Sequence, residues 1–184
     1  MRKLILSMGM SLDGFVAREG LHAGGWGTGP DDPALKERKL AWMSEIGAHL
    51  MGRTTYEEMA SFWPTSDDAY AAPMNEKPKV VFSCTLERAD WGPDSRVASG
   101  DLAEEIDRLK REPGGHLLAW GGAAFAQSLS AARLVDEYRL ILQPVALGEG
   151  LPLFKDLGSP LNLELVEATT YRSGAALHAY RPRT

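Results

Sequence analysis

The sequence predicts an α/β fold whose central sheet begins mostly parallel and ends in an antiparallel C-terminal hairpin. Before Arg133, short apolar runs alternate with helical patterns about four times, which is the order of βα units. After Arg133, strand-like alternation returns with no helix between the strands. The length of 184 residues, without an internal repeat or linker, corresponds to a single domain spanning residues 1–184.

The first predicted strand is Lys3–Met10, an apolar run that a Ser-Leu-Asp-Gly turn closes. The glycine-rich segment 20–29 is predicted to be a mobile loop. A helix over Pro33–Gly47 follows, with Asp32 as N-cap and a proline at its first position. The next strand, His49–Gly52, leads into a helix whose Thr54 and Glu57 have the spacing of a capping box.

The strands and helices of the second half of the chain are predicted from the same kinds of signal. The β-branched run Lys79–Cys84 predicts a buried strand, and Asp101–Arg111 predicts a helix with a capping signal at its start. His116–Trp120 predicts a strand that passes through Gly121-Gly122 into a helix over Ala123–Ala131. The alternating segments that close the chain are Tyr138–Val145, Leu161–Val166 and Ala175–Tyr180.

The composition excludes several classes of protein. A formal net charge of −5 provides no large positive field, so we expect neither a nucleic-acid nor a membrane partner. No apolar run approaches the roughly 20 residues of a bilayer-spanning helix. Cys84 is the single cysteine, which excludes an intramolecular disulfide and favours a reducing, cytoplasmic setting. The 4 histidines lack ligand spacing, so no metal is predicted.

Three strand ends carry residues that suit a phosphate. Gly52-Arg53-Thr54-Thr55 places a cation, hydroxyls and backbone N–H groups at a helix start, although a capping box with a solvated arginine would also explain it. Gly121-Gly122-Ala123 lets a pyrophosphate approach the backbone, or is a plain tight turn. Ser83-Cys84-Thr85 offers hydroxyls to a ribose, or is an ordinary turn. Together they indicate a multi-phosphate ligand such as a dinucleotide.

A set of ordered motifs carries a family resemblance. They are Ser11-Leu12-Asp13-Gly14-Phe15-Val16-Ala17, Met51-Gly52-Arg53-Thr54-Thr55-Tyr56-Glu57, Trp120-Gly121-Gly122, and Leu134-Val135-Asp136-Glu137 with Pro144-Val145-Ala146-Leu147-Gly148-Glu149-Gly150-Leu151-Pro152-Leu153-Phe154. The chain resembles the dihydrofolate reductase superfamily. Within it, the chain is most similar to the C-terminal reductase domain of the bifunctional riboflavin-biosynthesis deaminase/reductase and its stand-alone relatives.

The resemblance implies a dihydrofolate reductase-like three-layer fold, NADPH as cofactor, and a homodimer. It also assigns cofactor-binding residues: Gly9, Val16 and Ala17 beside the nicotinamide, Gly52, Arg53, Thr54 and Thr55 at the pyrophosphate and 2′-phosphate, Ser83 and Thr85 at the adenosine ribose, and Gly121, Gly122 and Ala123 at the pyrophosphate. The expected reaction is hydride transfer to a flat pteridine- or pyrimidine-like heterocycle. A non-catalytic nucleotide-binding module on the same fold is the alternative.

A proton donor and a substrate wall complete the expectation. Asp32 follows a Trp26-x-x-x-Pro30 segment, as the catalytic acid does in dihydrofolate reductases, although a plain N-cap is its rival interpretation. Asp13 is a second candidate that would also suit the turn after the first strand. Trp26, Phe62 and Trp63 are expected to bind a flat ring. The single cysteine excludes the zinc-dependent deaminase half. Beyond Lys36, Arg38 and Lys39, the sequence near the first helices has no second cationic cluster for a ribose phosphate, so membership of the riboflavin pathway stays open.

Overall fold

The computed structural model describes residues 1–18 and 32–183. Its strands are β1 (Leu4–Met10), β2 (Phe15–Ala17), β3 (Ile46–Gly52), β4 (Lys79–Phe82), β5 (Arg96–Ala98), β6 (His116–Trp120), β7 (Glu137–Leu142), β8 (Leu151–Pro152), β9 (Leu163–Thr170) and β10 (Ala176–Pro182). Its helices are α1 (Pro33–Ser44), α2 (Arg53–Phe62), α3 (Ala71–Asn75), α4 (Leu102–Arg111) and α5 (Ala123–Ala131).

The central sheet has the strand order β5-β4-β3-β6-β1-β7-β10-β9. Every pair from β5 to β7 is parallel, whereas β10 runs antiparallel to both β7 and β9. The predicted α/β sheet with its C-terminal antiparallel hairpin is therefore confirmed. A separate pair, β2 with β8, lies beside the turn after β1.

Helices cover both faces of the sheet because its central strand is apolar on both sides. Leu4 and Leu6 are fully buried in a core that includes Ile106 of α4 and Leu129 of α5. On the opposite face, Trp42 of α1 packs in a cluster with residues of β7 and β10. The result is a three-layer arrangement that leaves the carboxyl ends of the parallel strands open. No helix in the described ranges is long and apolar enough to cross a membrane.

Some predicted boundaries are wrong. Helix α1 ends at Ser44 rather than Gly47, because Ile46 pairs with β6 and is buried at 4% exposure. The predicted capping box is absent: α2 begins at Arg53, its N-cap is Gly52, and no side chain caps it. The sequence also missed β2, β5, β8 and α3, which are short elements that only their tertiary contacts stabilise.

Candidate functional site

Three adjoining cavities form one cleft at the carboxyl ends of β3, β6 and β1. The glycine cavity is lined by Gly52, Arg53, Thr54, Thr55, Phe82, Gly122, Ala124, Phe125 and Ser128. The central cavity is lined by Ser7, Met8, Gly9, Val16, Lys39, Thr55, Glu58, Met59, Trp120, Gly121 and Ile141. The aromatic cavity is lined by Ser7, Lys39, Trp42, Met43, Met59, Trp63, Tyr70, Met74, Leu118 and Trp120.

Shared wall residues join these cavities end to end. Thr55 belongs to both the glycine and the central cavity. Ser7, Lys39 and Trp120 belong to both the central and the aromatic cavity. The structure thus brings the first two predicted turns together in one cleft. The same cleft extends into the aromatic cavity.

Two helices begin at the glycine cavity without a side-chain cap. Gly52 and Gly122 are the N-caps of α2 and α5, and neither helix has a side-chain hydrogen bond at its start. By contrast, Asp32 and Asp101 cap α1 and α4. Uncapped N–H groups at a helix start favour an anion, and two such starts converge on this cavity.

The glycine pair has a steric reason to be glycine. Gly122 has φ +85°, and a Cβ there would lie 3.0 Å from Thr55 Oγ1. A Cβ on Gly121 would displace the flexible end of the Met8 side chain. The Thr55 hydroxyl donates to the Gly121 carbonyl at 2.8 Å, so this residue ties the start of α2 to the glycine turn. Its proton is committed to that carbonyl in this structure.

The remaining predicted cofactor residues have different surroundings. Arg53 is half exposed at the mouth of the cavity, with its Nε 3.9 Å from Glu57. Ser83 Oγ accepts the backbone N–H groups of Thr85 at 3.1 Å and Leu86 at 3.0 Å, a contact that favours the ordinary-turn interpretation. Four predicted cofactor residues are absent from the walls of the three cavities: Ala17, Ser83, Thr85 and Ala123.

The two candidate acids both act as backbone acceptors. Asp32 Oδ1 accepts from Ala34 N at 3.1 Å and from Leu35 N at 3.2 Å, while Oδ2 accepts from Ser173 N at 3.0 Å. The Ser173 contact is the largest cause that lowers the pKa of Asp32. The structure therefore supports the N-cap interpretation. The proton-donor role stays a prediction, and the lowered pKa does not favour it because the carboxylate holds a proton less readily.

Asp13 holds the turn after β1. It accepts from Ser11 Oγ at 2.6 Å and from Gly148 N at 2.7 Å. The Ser11 hydrogen bond is the main cause that lowers the pKa of Asp13 to about 2, followed by the Gly148 contact. Asp13 thus joins the Ser-Leu-Asp-Gly turn to the loop before β8.

The aromatic cavity is fixed by a buried histidine. Trp120 Nε1 donates to His49 Nδ1 at 2.9 Å, and His49 Nε2 lies 3.1 Å from the Pro73 carbonyl, so the ring proton is on Nε2. Burial lowers the pKa of His49 to about 4. A neutral histidine therefore holds the indole of Trp120, which lines the central and the aromatic cavity.

Of the three predicted substrate residues, Trp63 lines the aromatic cavity. Phe62 is 57% exposed and contacts Trp63 edge-on, outside the cavity walls. Trp26 and the predicted loop 20–29 lie outside the described residues.

Sequence reasoning missed Ser7, Lys39, Met59 and Trp120 as wall residues. Two signals were available: Ser7 is the one hydroxyl in an apolar strand, and Lys39 precedes Trp42 and Met43 by three and four residues on the same helix face. Among the described residues, no group of His, Cys, Asp and Glu could hold a metal.

Comparison with known proteins places this architecture among dihydrofolate reductase-like folds. The chain has a TM-score of 0.79 and 24% identity to a candidate riboflavin biosynthesis protein of Shewanella sp. PV-4, covering 99% of each chain. It has a TM-score of 0.64 and 16% identity to dihydrofolate reductase of Enterococcus faecalis complexed with NADP(H), covering 99% of this chain and 97% of that one. At these identities the likeness shows the fold.

The particular family is shown by sequence. The chain belongs to the RibD C-terminal domain family, whose model matches residues 2–177. It is also 30% identical over 187 residues to the uncharacterized protein YyaP of Bacillus subtilis strain 168, covering 97% of this chain and 94% of that protein. The resemblance that the motifs indicated is therefore confirmed, and the chain has a reductase-type fold.

Proposed function

We propose that the protein is an NADPH-dependent reductase that acts on a flat pteridine- or pyrimidine-like heterocycle. One observation carries the proposal: a cavity with uncapped helix starts, suited to phosphates, is continuous with an aromatic cavity suited to a flat ring. When bound, NADPH would supply a hydride to the substrate. The E. faecalis neighbour, which is complexed with NADP(H), supports the choice of cofactor.

The residues of the chain have separate tasks in this proposal. Arg53, Thr54 and the first N–H groups of α2 and α5 would hold the phosphates by charge and hydrogen bonds. Gly9 and Val16 would border the nicotinamide, and a Cβ on Gly9 would meet no atom within 4 Å, so the strand end leaves room for a ring. The aromatic walls would orient the substrate and exclude water.

The experiment is a cofactor titration followed by a substrate screen. Trp63 and Trp120 line the cleft, so we expect NADPH to quench tryptophan fluorescence at lower concentration than NADH. Loss of NADPH absorbance is then measured with pterins, pyrimidines and reactive carbonyls. If neither cofactor binds, the proposal is wrong. If NADPH binds without turnover across the panel, the protein is instead a nucleotide-binding module. The homodimer and the cytoplasmic setting stay predictions.

A further inference from the structure

Lys39 differs from every other lysine of the chain in its contacts. All 7 lysines lie in the described ranges. Four of them have a carboxylate oxygen within 4.0 Å of Nζ: Lys3, Lys36, Lys110 and Lys155. Lys77 and Lys79 each donate to a backbone carbonyl at 2.6 Å. Among the described residues Lys39 has neither kind of partner, and its Nζ lies 5.1 Å from the centroid of the Tyr70 ring.

The Lys39 side chain is also open to the cleft. It belongs to α1 and lines both the central and the aromatic cavity. Three tryptophans line the aromatic cavity with it: Trp42, Trp63 and Trp120. Lys79, by contrast, is 0% exposed and lines none of the three cavities. Lys39 is therefore an unpaired amine that a flat molecule can reach from within the aromatic cavity.

The surroundings of Lys39 favour its neutral form. Burial is the largest cause that lowers the pKa of Lys39 from its ordinary value of 10.5; Asp68 opposes this shift and Lys36 adds to it. Asp68 is itself bound by Lys36 at 2.9 Å. Glu58 on α2 is the carboxylate that lines the central cavity together with Lys39. A neutral amine has a free electron pair, so a desolvated lysine is a nucleophile, whereas an ammonium is not.

We propose that Lys39 is a nucleophilic amine that binds flat aromatic aldehydes covalently, as imines, in the aromatic cavity. The electron pair of the amine attacks the aldehyde carbon, and the carbonyl π electrons move to the oxygen. The nitrogen then gives up both of its protons and the oxygen leaves as water, so that a C=N bond replaces C=O without any oxidant or reductant. Neither NADPH nor hydride transfer takes part, so this site is independent of the proposed function.

The cavity suits both the aldehyde and the imine. Tryptophan rings pack well against a flat aromatic ring, and this contact would hold the aldehyde carbon near the amine. A protonated imine would keep its positive charge near Asp68 and beside the Tyr70 ring, where the ammonium lies now. Apolar walls that exclude water would slow hydrolysis of the imine.

Trapping and peptide mass spectrometry test the site. The protein is incubated at neutral pH with 2-naphthaldehyde and sodium cyanoborohydride, which reduces an imine to a stable secondary amine. We expect Lys39 to be labelled roughly 10-fold faster than Lys155, because binding of the ring places the aldehyde beside the amine. Pentanal, which has no flat ring, should show no such preference. Lys39→Arg keeps the positive charge but should lose the label in the cavity.

The control is Lys155→Arg, which alters an exposed lysine outside the three cavities and should leave the labelling of Lys39 unchanged. The inference is overturned if 2-naphthaldehyde labels Lys39 no faster than Lys155, or if pentanal labels Lys39 with the same preference. Labelling of Lys39 should also begin at lower pH than labelling of free N-acetyllysine, and identical pH profiles would contradict the inference. Circular dichroism confirms that each variant is folded, and NADPH titration decides the proposed function separately.

Discussion

The two ends of the cleft are built in different ways. The glycine cavity consists largely of two short sequence segments, 52–55 and 122–125, whose backbone groups begin α2 and α5. The aromatic cavity consists of side chains from β1, α1, α2, β6 and the segment 63–74. One end depends on local backbone geometry, whereas the other depends on how distant elements pack. Substitutions should therefore act on cofactor affinity at the first end and on stability or substrate selectivity at the second.

Acid should have the largest effect, and it should act at the aromatic end. His49 has its ordinary pKa of 6.5 when unfolded and a pKa of about 4 when folded, because burial disfavours its charged form. Between these values the unfolded state binds more protons, so the stabilisation is complete above pH 6.5 and decreases as the pH falls toward 4. We expect protonation of His49 to lower the free energy of unfolding by roughly 3 kcal/mol.

Urea unfolding at pH 7 and pH 4 measures this effect. The wild-type protein is compared with His49→Gln, which cannot titrate and should lose less free energy of unfolding over the same interval. Equal losses in the two proteins would show that His49 is not responsible.

At the glycine end, Arg53→Ala should weaken the binding of NADPH by about one to two decades of affinity and the binding of NADH much less. A charge-assisted hydrogen bond to a 2′-phosphate contributes roughly 1.5–3 kcal/mol, and NADH lacks that phosphate. Isothermal titration with both cofactors measures the difference. Arg111→Ala, an exposed arginine on α4, is the control and should change neither affinity. Equal losses for both cofactors would show that Arg53 does not bind the 2′-phosphate.

Gly122→Ala should have a smaller effect. It should lower the stability of the folded protein and also weaken NADPH binding. The positive φ costs a side-chain residue about 1–2 kcal/mol, and the new Cβ would press against Thr55 Oγ1. The matched control is Gly158→Ala, which has φ +67° with nothing within 4 Å of the Cβ. Thermal unfolding should show a loss in both variants, and cofactor titration should show weaker NADPH binding in Gly122→Ala alone. Unchanged NADPH affinity in Gly122→Ala would place the cofactor elsewhere.

Asp32→Asn should have the smallest effect. Asparagine caps helices as well as aspartate does, although its single carbonyl cannot replace both the contacts in α1 and the contact to Ser173. We expect a small decrease in melting temperature and an unchanged rate of NADPH oxidation. A large loss of rate at unchanged NADPH affinity would instead support the proton-donor role of this residue.

Prediction from the sequence succeeded where the chain carries its own local signal. Leu102–Arg111 with its Asp101 cap, the strand His116–Trp120 and the helix Ala123–Ala131 all match the expectation, because capping and periodicity are short-range properties. The capping box at Thr54 was wrong because α2 begins at Arg53, two residues before the predicted start, so Thr54 lies inside the first turn and Gly52 is the N-cap. Phe62 stays a predicted substrate residue: it is exposed and lies outside the walls of the three cavities, whereas its neighbour Trp63 lines the aromatic cavity, because adjacent helix positions face different directions.

The sequence alone determined the α/β order, the hairpin and the two glycine turns, because apolar periodicity and glycine punctuation act within a few residues. Tertiary structure alone decided that these turns converge through the Thr55 hydroxyl, and that His49 orients Trp120. It also decided that Ser7 and Lys39, 32 positions apart (39 − 7), line the same cavities. Sheet order and helix packing set these contacts, and both depend on pairings between distant segments.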